Sequence, residues 1–180
     1  CSRDWSSDVC SSDLTVPPPS RMSEEIFDVV NEADEVIGRQ TRAEVHRLGL
    51  KHRAVHILVF NARGEVFLQK RSLAKDTFPG AWDSSASGHL DCGESYDPCA
   101  LRELREEIGL EPAQPLERLF KMDPCPGTGQ EHVWVYRCQA EGPFQLPPEA
   151  IERGEWFAPA RGHSWLQERP EDFANAFRLL

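Results

Sequence analysis

The sequence predicts an α/β protein, a mixed β-sheet sandwiched between helices. Three observations carry this. Short apolar runs, several alternating with polar residues, recur between Ile26 and Phe157 and read as strands. Two or three other stretches carry helix patterning, the clearest ending at Ile108-Gly109. Strands and helices do not alternate regularly, which fits a sandwich around a mixed sheet better than a βαβ repeat.

The elements follow in order. IFDVVNEADEVIGRQT predicts a β-hairpin, with strands over Ile26–Val30 and Val36–Gln40 around Asn31-Glu32-Ala33-Asp34. Arg42–Leu48 reads as a short helix with Thr41 as N-cap and Gly49 as its stop. Ala54–Phe60 is an apolar, β-rich run suited to a central strand. Asn61-Ala62-Arg63-Gly64 then turns the chain into a partner strand over Glu65–Lys70. Phe78-Pro79-Gly80-Ala81-Trp82 reads as a turn whose two aromatics are packed.

Next comes a loop holding Gly88, Gly93 and Glu94, and then a helix capped by Ser95 or by Asp97 before Pro98. Ala100, Leu101, Leu104 and Ile108 are placed on its packing face, and Gly109 ends it. Leu116–Met122, Val133–Cys138 and Ile151–Phe157 read as further strands. A Pro- and Gly-rich loop over Asp123–Gln130 separates the first two. Ser164–Arg169 and Glu171–Leu180 read as helical, divided by Pro170, and the sequence stops inside that last apolar run, as a truncated end would.

At 180 residues the chain suffices for one domain with a full core. Residues 1–21 are set apart from it. DWSSDVCSSDL, Asp4 to Leu14, resembles the in-frame translation of a sequencing-adapter oligonucleotide. It is Ser/Asp-rich, lacks periodicity, and has neither the basic start nor the apolar run of a signal peptide. The expectation is a non-native or disordered segment over 1–21 and a single domain over 22–180, starting at Met22.

Composition narrows the function. The net charge of −10 offers no basic face for nucleic acid. No apolar run is long enough to span a membrane. Cys92, Cys99, Cys125 and Cys138 form no C-x-x-C pair, which fits reduced thiols in a cytoplasm.

The chemistry points to Gly88–Leu110, GHLDCGESYDPCALRELREEIGL. On a helix, Glu103, Glu106 and Glu107 stand at i, i+3 and i+4, so like charges gather on one side. Three carboxylates beside a glycine-bearing loop suit a hard divalent cation with oxygen ligands. Arg102 lies four residues before Glu106, where its charge would hold a carboxylate ionised; standing next to Glu103 in sequence, it is not expected to face that residue. Glu94 is expected to brace loop against helix through a charged hydrogen bond.

This stretch resembles the Nudix box, G-x5-E-x7-R-E-U-x-E-E-x-G-U with U aliphatic. It agrees at every defined position: Gly88, Glu94, Arg102, Glu103, Leu104, Glu106, Glu107, Gly109 and Leu110. The resemblance extends from about Phe27 to Phe177, with HRAVHILVFN and TFPGAWD similar to one branch of the family. It implies a Nudix-type α/β/α sandwich and hydrolysis of a nucleoside diphosphate linked to another moiety, with Mg²⁺ or Mn²⁺. Glu106 and Glu107 would be the principal ligands, and Glu103 either completes the cluster or serves as general base. A main-chain carbonyl of Ser87 or Gly88 would add an oxygen. Glu131, at the start of a strand, would be an extra ligand or base, or else an ordinary strand-end residue. The partner implied is a small-molecule diphosphate, with a homodimer left open.

Other residues have two readings. Lys70 and Arg71 read as solvated charges, with phosphate contact as the alternative. Trp82 and Trp134 read as core, with base stacking as the alternative. Phe78–His89 also resembles isopentenyl diphosphate isomerases, a branch in which His52 and His89 would bind metal, with His46 nearby. A lone histidine near a strand end more often hydrogen-bonds than ligates, which is the structural reading of all three. Ser87 stands where that branch has its catalytic cysteine, and Ser is a poorer proton donor and acceptor than a Cys–thiolate couple. A non-catalytic binding module of the same fold would tend to lose box carboxylates, and none is missing.

Overall fold

The structure is a computed structural model and describes residues 25–180. The expectations for the segment 1–21 and for Met22 fall outside the described residues. The hairpin forms as expected, from β1 (Ile26–Val30) and β2 (Val36–Thr41), paired antiparallel. Helix α1 (Arg42–Leu48) follows at once. The Thr41 side chain accepts from the Glu44 N–H, and Gly49 closes the helix at φ 61°, a conformation that favours glycine. This unit is fastened to the rest by Asp34 in the hairpin turn. Its carboxylate accepts from Arg53, Lys121 and, at 2.8 Å, the Tyr96 hydroxyl.

The main sheet comprises β3 (His52–Phe60), β4 (Val66–Arg71), β5 (Trp82–Asp83), β6 (Ala86–His89), β7 (Glu117–Met122), β8 (Glu131–Gln139) and β9 (Ile151–Phe157). It is mixed, as predicted. β3 and β8 run parallel from His52↔Glu131 to Phe60↔Gln139, whereas the other pairings are antiparallel. β3 is central because Val55, Ile57 and Val59 are fully buried. Its second edge is shared: β6 takes Ala54–Ile57, and β4 takes Val59–Phe60.

Helix α2 (Tyr96–Ile108) covers one face, setting Cys99, Ala100, Leu104 and Ile108 against Val55, Ile57, Val59, Phe67 and Tyr136. On the other face Leu68, Trp82 and Phe157 pack with Phe173 and with Trp165 and Leu166 of α3 (Pro159–Glu168). The three layers make the α/β/α sandwich that the sequence predicts.

Several expectations are corrected. Gly88 lies on strand β6, not in a loop; Ser87 and Gly88 are weak strand formers held in the sheet by His56 and Val55. Asp97 lies inside α2, where it accepts from Tyr136 Oη at 2.6 Å, and the N-cap is Ser95. Leu101 is exposed, because Cys99 takes the buried position. The predicted C-terminal helix over Glu171–Leu180 is replaced by two 3₁₀ turns, Pro170–Asp172 and Phe177–Leu179. Between them Phe173 is fully buried and the Ala174 N–H donates to the Trp82 carbonyl, so edge pairing displaces helix formation. The preceding helix begins at Pro159 rather than Ser164, because proline suits the first turn.

Candidate functional site

The site forms where β6 delivers Gly88 onto the carboxylate side of α2. Glycine is required at 88 by close approach: a Cβ there would stand 2.1 Å from the Glu103 carboxylate. Ser87 holds the next carboxylate. Its N–H donates to Glu107 Oε2 at 3.0 Å, and Gln69 Nε2 donates to the same oxygen at 2.8 Å. Glu106 faces solvent. The three carboxylates predicted to share one side therefore do so in graded environments: Glu103 buried, Glu107 partly buried and Glu106 exposed.

Those environments differ electrostatically. Burial pushes the Glu103 carboxyl up to about 8, opposed by Arg102 and aided by the charges of Glu107 and Glu106. Burial also raises Glu107, against the two N–H donors that favour its ionised form. Negative charge is thus held here at a cost that a cation would remove. The donor set is entirely oxygen, which is what Mg²⁺ or Mn²⁺ prefers.

Arg102 organises the group. Its guanidinium forks onto Glu94, Nε to Oε1 at 3.1 Å and Nη2 to Oε2 at 2.9 Å, the bidentate geometry that favours arginine. Nη2 also donates to the His89 carbonyl at 2.9 Å, which ties α2 to β6. Nη1 reaches Glu106 at 3.1 Å, as the i+4 spacing predicts. It also reaches Glu103 at 2.7 Å, which corrects the expectation that adjacency would keep them apart. The long arginine stem swings the charge back over its neighbour. Glu94 braces loop and helix as expected: burial would raise its carboxyl, but Arg102 and the Asp91 N–H hold it lowered.

A cleft of about 310 Å³ opens over these carboxylates and is also lined by Arg71, Lys75 and Phe78. Arg71 is not solvated, since it donates to the Thr77 carbonyl at 3.0 Å and faces Asp83. Lys70 turns away to Glu152. Phe78, expected to be packed, is 41% exposed at the cleft wall. Trp82 is core, and Trp134 is partly buried beneath Arg118, as their structural readings hold.

Glu131 also lines the cleft, but its Oε1 lies 3.0 Å from His89 Nε2 and 3.5 Å from His52 Nε2. Burial would raise its carboxyl, yet the two histidines outweigh this and hold it far below the usual range. His46 joins them, so the three histidines cluster rather than scatter. Sequence reasoning missed Gln69 and Lys75. Gln69 left a signal, a polar residue at the Phe67-facing position where strand alternation calls for core. Lys75 left none.

Comparison with known proteins agrees with this geometry. The chain matches the NUDIX domain family over residues 50–177. It is 34% identical over 160 residues to an uncharacterized Nudix hydrolase of Yersinia pestis, covering 86% of this chain and 85% of that protein. It is 35% identical over 139 residues to one from Pseudomonas aeruginosa, covering 75% and 79%. A crystal structure of a Deinococcus radiodurans protein superposes with TM-score 0.72 at 31% identity, over 80% of this chain and 90% of that one.

Proposed function

The chain belongs to the Nudix family of hydrolases, and on that premise we propose that it hydrolyses a diphosphate linkage in a small organic or nucleoside diphosphate, dependent on Mg²⁺ or Mn²⁺. The observation that carries this is the convergence of Glu103, Glu106 and Glu107 beneath a cleft that also presents Arg71 and Lys75. Glu106 and Glu107 would hold the cation, with Glu103 and a main-chain carbonyl of Ser87 or Gly88 completing the oxygen set. When bound, such an ion neutralises phosphate charge and lowers the pKa of water.

The chain's own residues supply the rest. Ser87 N–H and Gln69 fix Glu107, so its free oxygen is aimed before substrate arrives. Arg102 keeps Glu106 and Glu103 in register from behind. Glu103, buried against Gly88 beneath the cleft, would either complete that oxygen set or serve as general base toward the attacking water. Glu131 is less suited to be that base, because its oxygen is engaged by His89 and His52. Arg71 and Lys75 would receive the diphosphate. No helix among the described residues is long and apolar enough to cross a membrane. Among the described residues Cys92, Cys99, Cys125 and Cys138 form no disulfide with one another, which fits a cytoplasmic setting.

The test is Glu107→Gln, which preserves shape and can still accept from the Ser87 N–H. Loss of Mg²⁺-dependent hydrolysis with an unchanged circular dichroism spectrum is expected; full activity would sink the assignment. One observation favours a second reading, isomerisation of isopentenyl diphosphate, namely the grouping of His46, His52 and His89. Ser87 in place of a cysteine and the complete set of box carboxylates weigh against it. NMR of isopentenyl diphosphate with Mg²⁺ separates the two: conversion to the dimethylallyl isomer without phosphate release would replace the hydrolase reading.

A further inference from the structure

The cleft over the carboxylates does not end at Phe78. A second cavity of about 850 Å³ adjoins it, and Arg42, Thr77, Phe78, His89, Glu131 and Ala176 line both spaces. A group joined to a diphosphate seated at Arg71 and Lys75 therefore has one continuous space to enter. Phe78 stands at the junction with its ring exposed.

A single exposed apolar ring is ordinary on a protein surface; one held there against its backbone preference is not. Phe78 has φ 48°, a left-handed conformation that a bulky side chain rarely adopts. Such a conformation persists only where its surroundings over-determine it, and here they belong to the phosphate side of the cleft. Arg71 Nε donates to the Thr77 carbonyl at 3.0 Å and Nη2 to Thr77 Oγ1 at 3.2 Å, just before Phe78. Just after it, the Ala81 N–H closes a turn onto the Phe78 carbonyl at 3.2 Å, and the Arg71 N–H donates to the Ala81 carbonyl at 2.9 Å. The arginine that would receive phosphate thus also aims the ring.

The rest of the wall selects by shape and charge. Gly127 and Gly129 present backbone from which no side chain projects, a surface against which a flat group can lie. Arg42 is already paired with Glu25 at 2.9 Å, and Asp76 adds a negative charge, so the cavity favours an uncharged group over a second anion. We propose that Phe78 is a specificity-determining residue, its ring stacking on a planar, uncharged group carried by the diphosphate. The assignment rests on the hydrolase reading for the seat of the diphosphate. It separates aromatic esters from aliphatic ones, because an offset or edge-on ring contact adds attraction beyond the area it buries.

The experiment reads binding apart from turnover. Phenyl and methyl esters of methylenediphosphonate, whose P–C–P bridge resists hydrolysis, are titrated into the whole chain with Mg²⁺ by calorimetry. The phenyl ester is expected to bind about tenfold more tightly. Phe78→Leu, which keeps an apolar side chain but loses the ring, should reduce that preference to about threefold, and Phe78→Tyr should retain it. Equal or undetectable binding of the two esters by the wild type, an undiminished preference in Phe78→Leu, or its loss in Phe78→Tyr would each overturn the proposal. Hydrolysis of phenyl and methyl diphosphate is followed separately. A binding preference without hydrolysis would remove the hydrolase reading and leave the role of Phe78 standing, whereas hydrolysis of both at the same kcat/KM would do the reverse.

Discussion

Gly88 and Glu103 lie against each other so closely that a Cβ on residue 88 would stand 2.1 Å from the Glu103 carboxylate. The first atom of any side chain at 88 would occupy the position that the carboxylate now holds. Gly88→Ala should therefore push Glu103 aside without unfolding the protein, because the obstacle is the end of a flexible side chain. Hydrolysis is expected to fall about 100-fold, the usual cost of a misplaced catalytic group. Steady-state kinetics with a diphosphate substrate, beside a melting curve, check this; unchanged kcat/KM would show that Glu103 needs no such fit.

The raised Glu103 carboxyl predicts a pH-dependent metal affinity. Without a cation its value lies near 8 rather than the ordinary 4.5, so at neutral pH a binding cation must displace a proton. Apparent Mg²⁺ affinity should strengthen as pH rises toward about 8 and level off above it. In the metal-free protein the sign is opposite. This group's contribution to stability is complete below 4.5 and is lost as pH rises through about 8. Calorimetry in buffers of different ionisation enthalpy would detect the released proton, and pH-independent Mg²⁺ binding would contradict the prediction.

Asp34 gives a prediction of the reverse sign. Burial would raise its carboxyl, but Lys121, Arg53 and Tyr96 outweigh burial and hold it below the ordinary 3.8. Its stabilisation is therefore present above 3.8 and lost as pH falls through its lower folded value. Asp34→Asn tolerates the same backbone at φ 63°, so the variant removes charge without adding strain. It should cost about 1–3 kcal/mol at pH 7, because the amide nitrogen replaces the oxygen that accepts from Lys121 and Tyr96 and leaves Arg53 without a charged partner. Denaturant titrations of both proteins should converge in strong acid, and a gap that persists there would point to something other than charge.

Much of the fold was legible because its signals are local. Ile26–Val30, Arg42–Leu48 and Ile151–Phe157 have the boundaries that alternation and capping predict, since each carries its own periodicity or stop. β6 was not legible. Ala86–His89 has little strand propensity and becomes a strand only because β3 offers it an edge. The C-terminus fails for the same reason in reverse: Phe173 has a helical neighbourhood in sequence, but the sheet edge at Trp82 captures it.

The sequence by itself determined the family and which carboxylates share a helix face, because the Nudix box lies in one continuous stretch, the end of β6, a loop and α2, and the register of its helix is fixed by the 3.6-residue turn. Only the tertiary structure decided how those carboxylates differ. Ser87 and Gln69 reach Glu107 from strands 20 and 38 residues away, and Arg102 folds back onto Glu103 against expectation. It also gathered His46, His52 and His89 around Glu131, from four elements that share no local pattern. Spacing along a helix fixes which side chains share a face, whereas burial and partners arise only when distant strands pair.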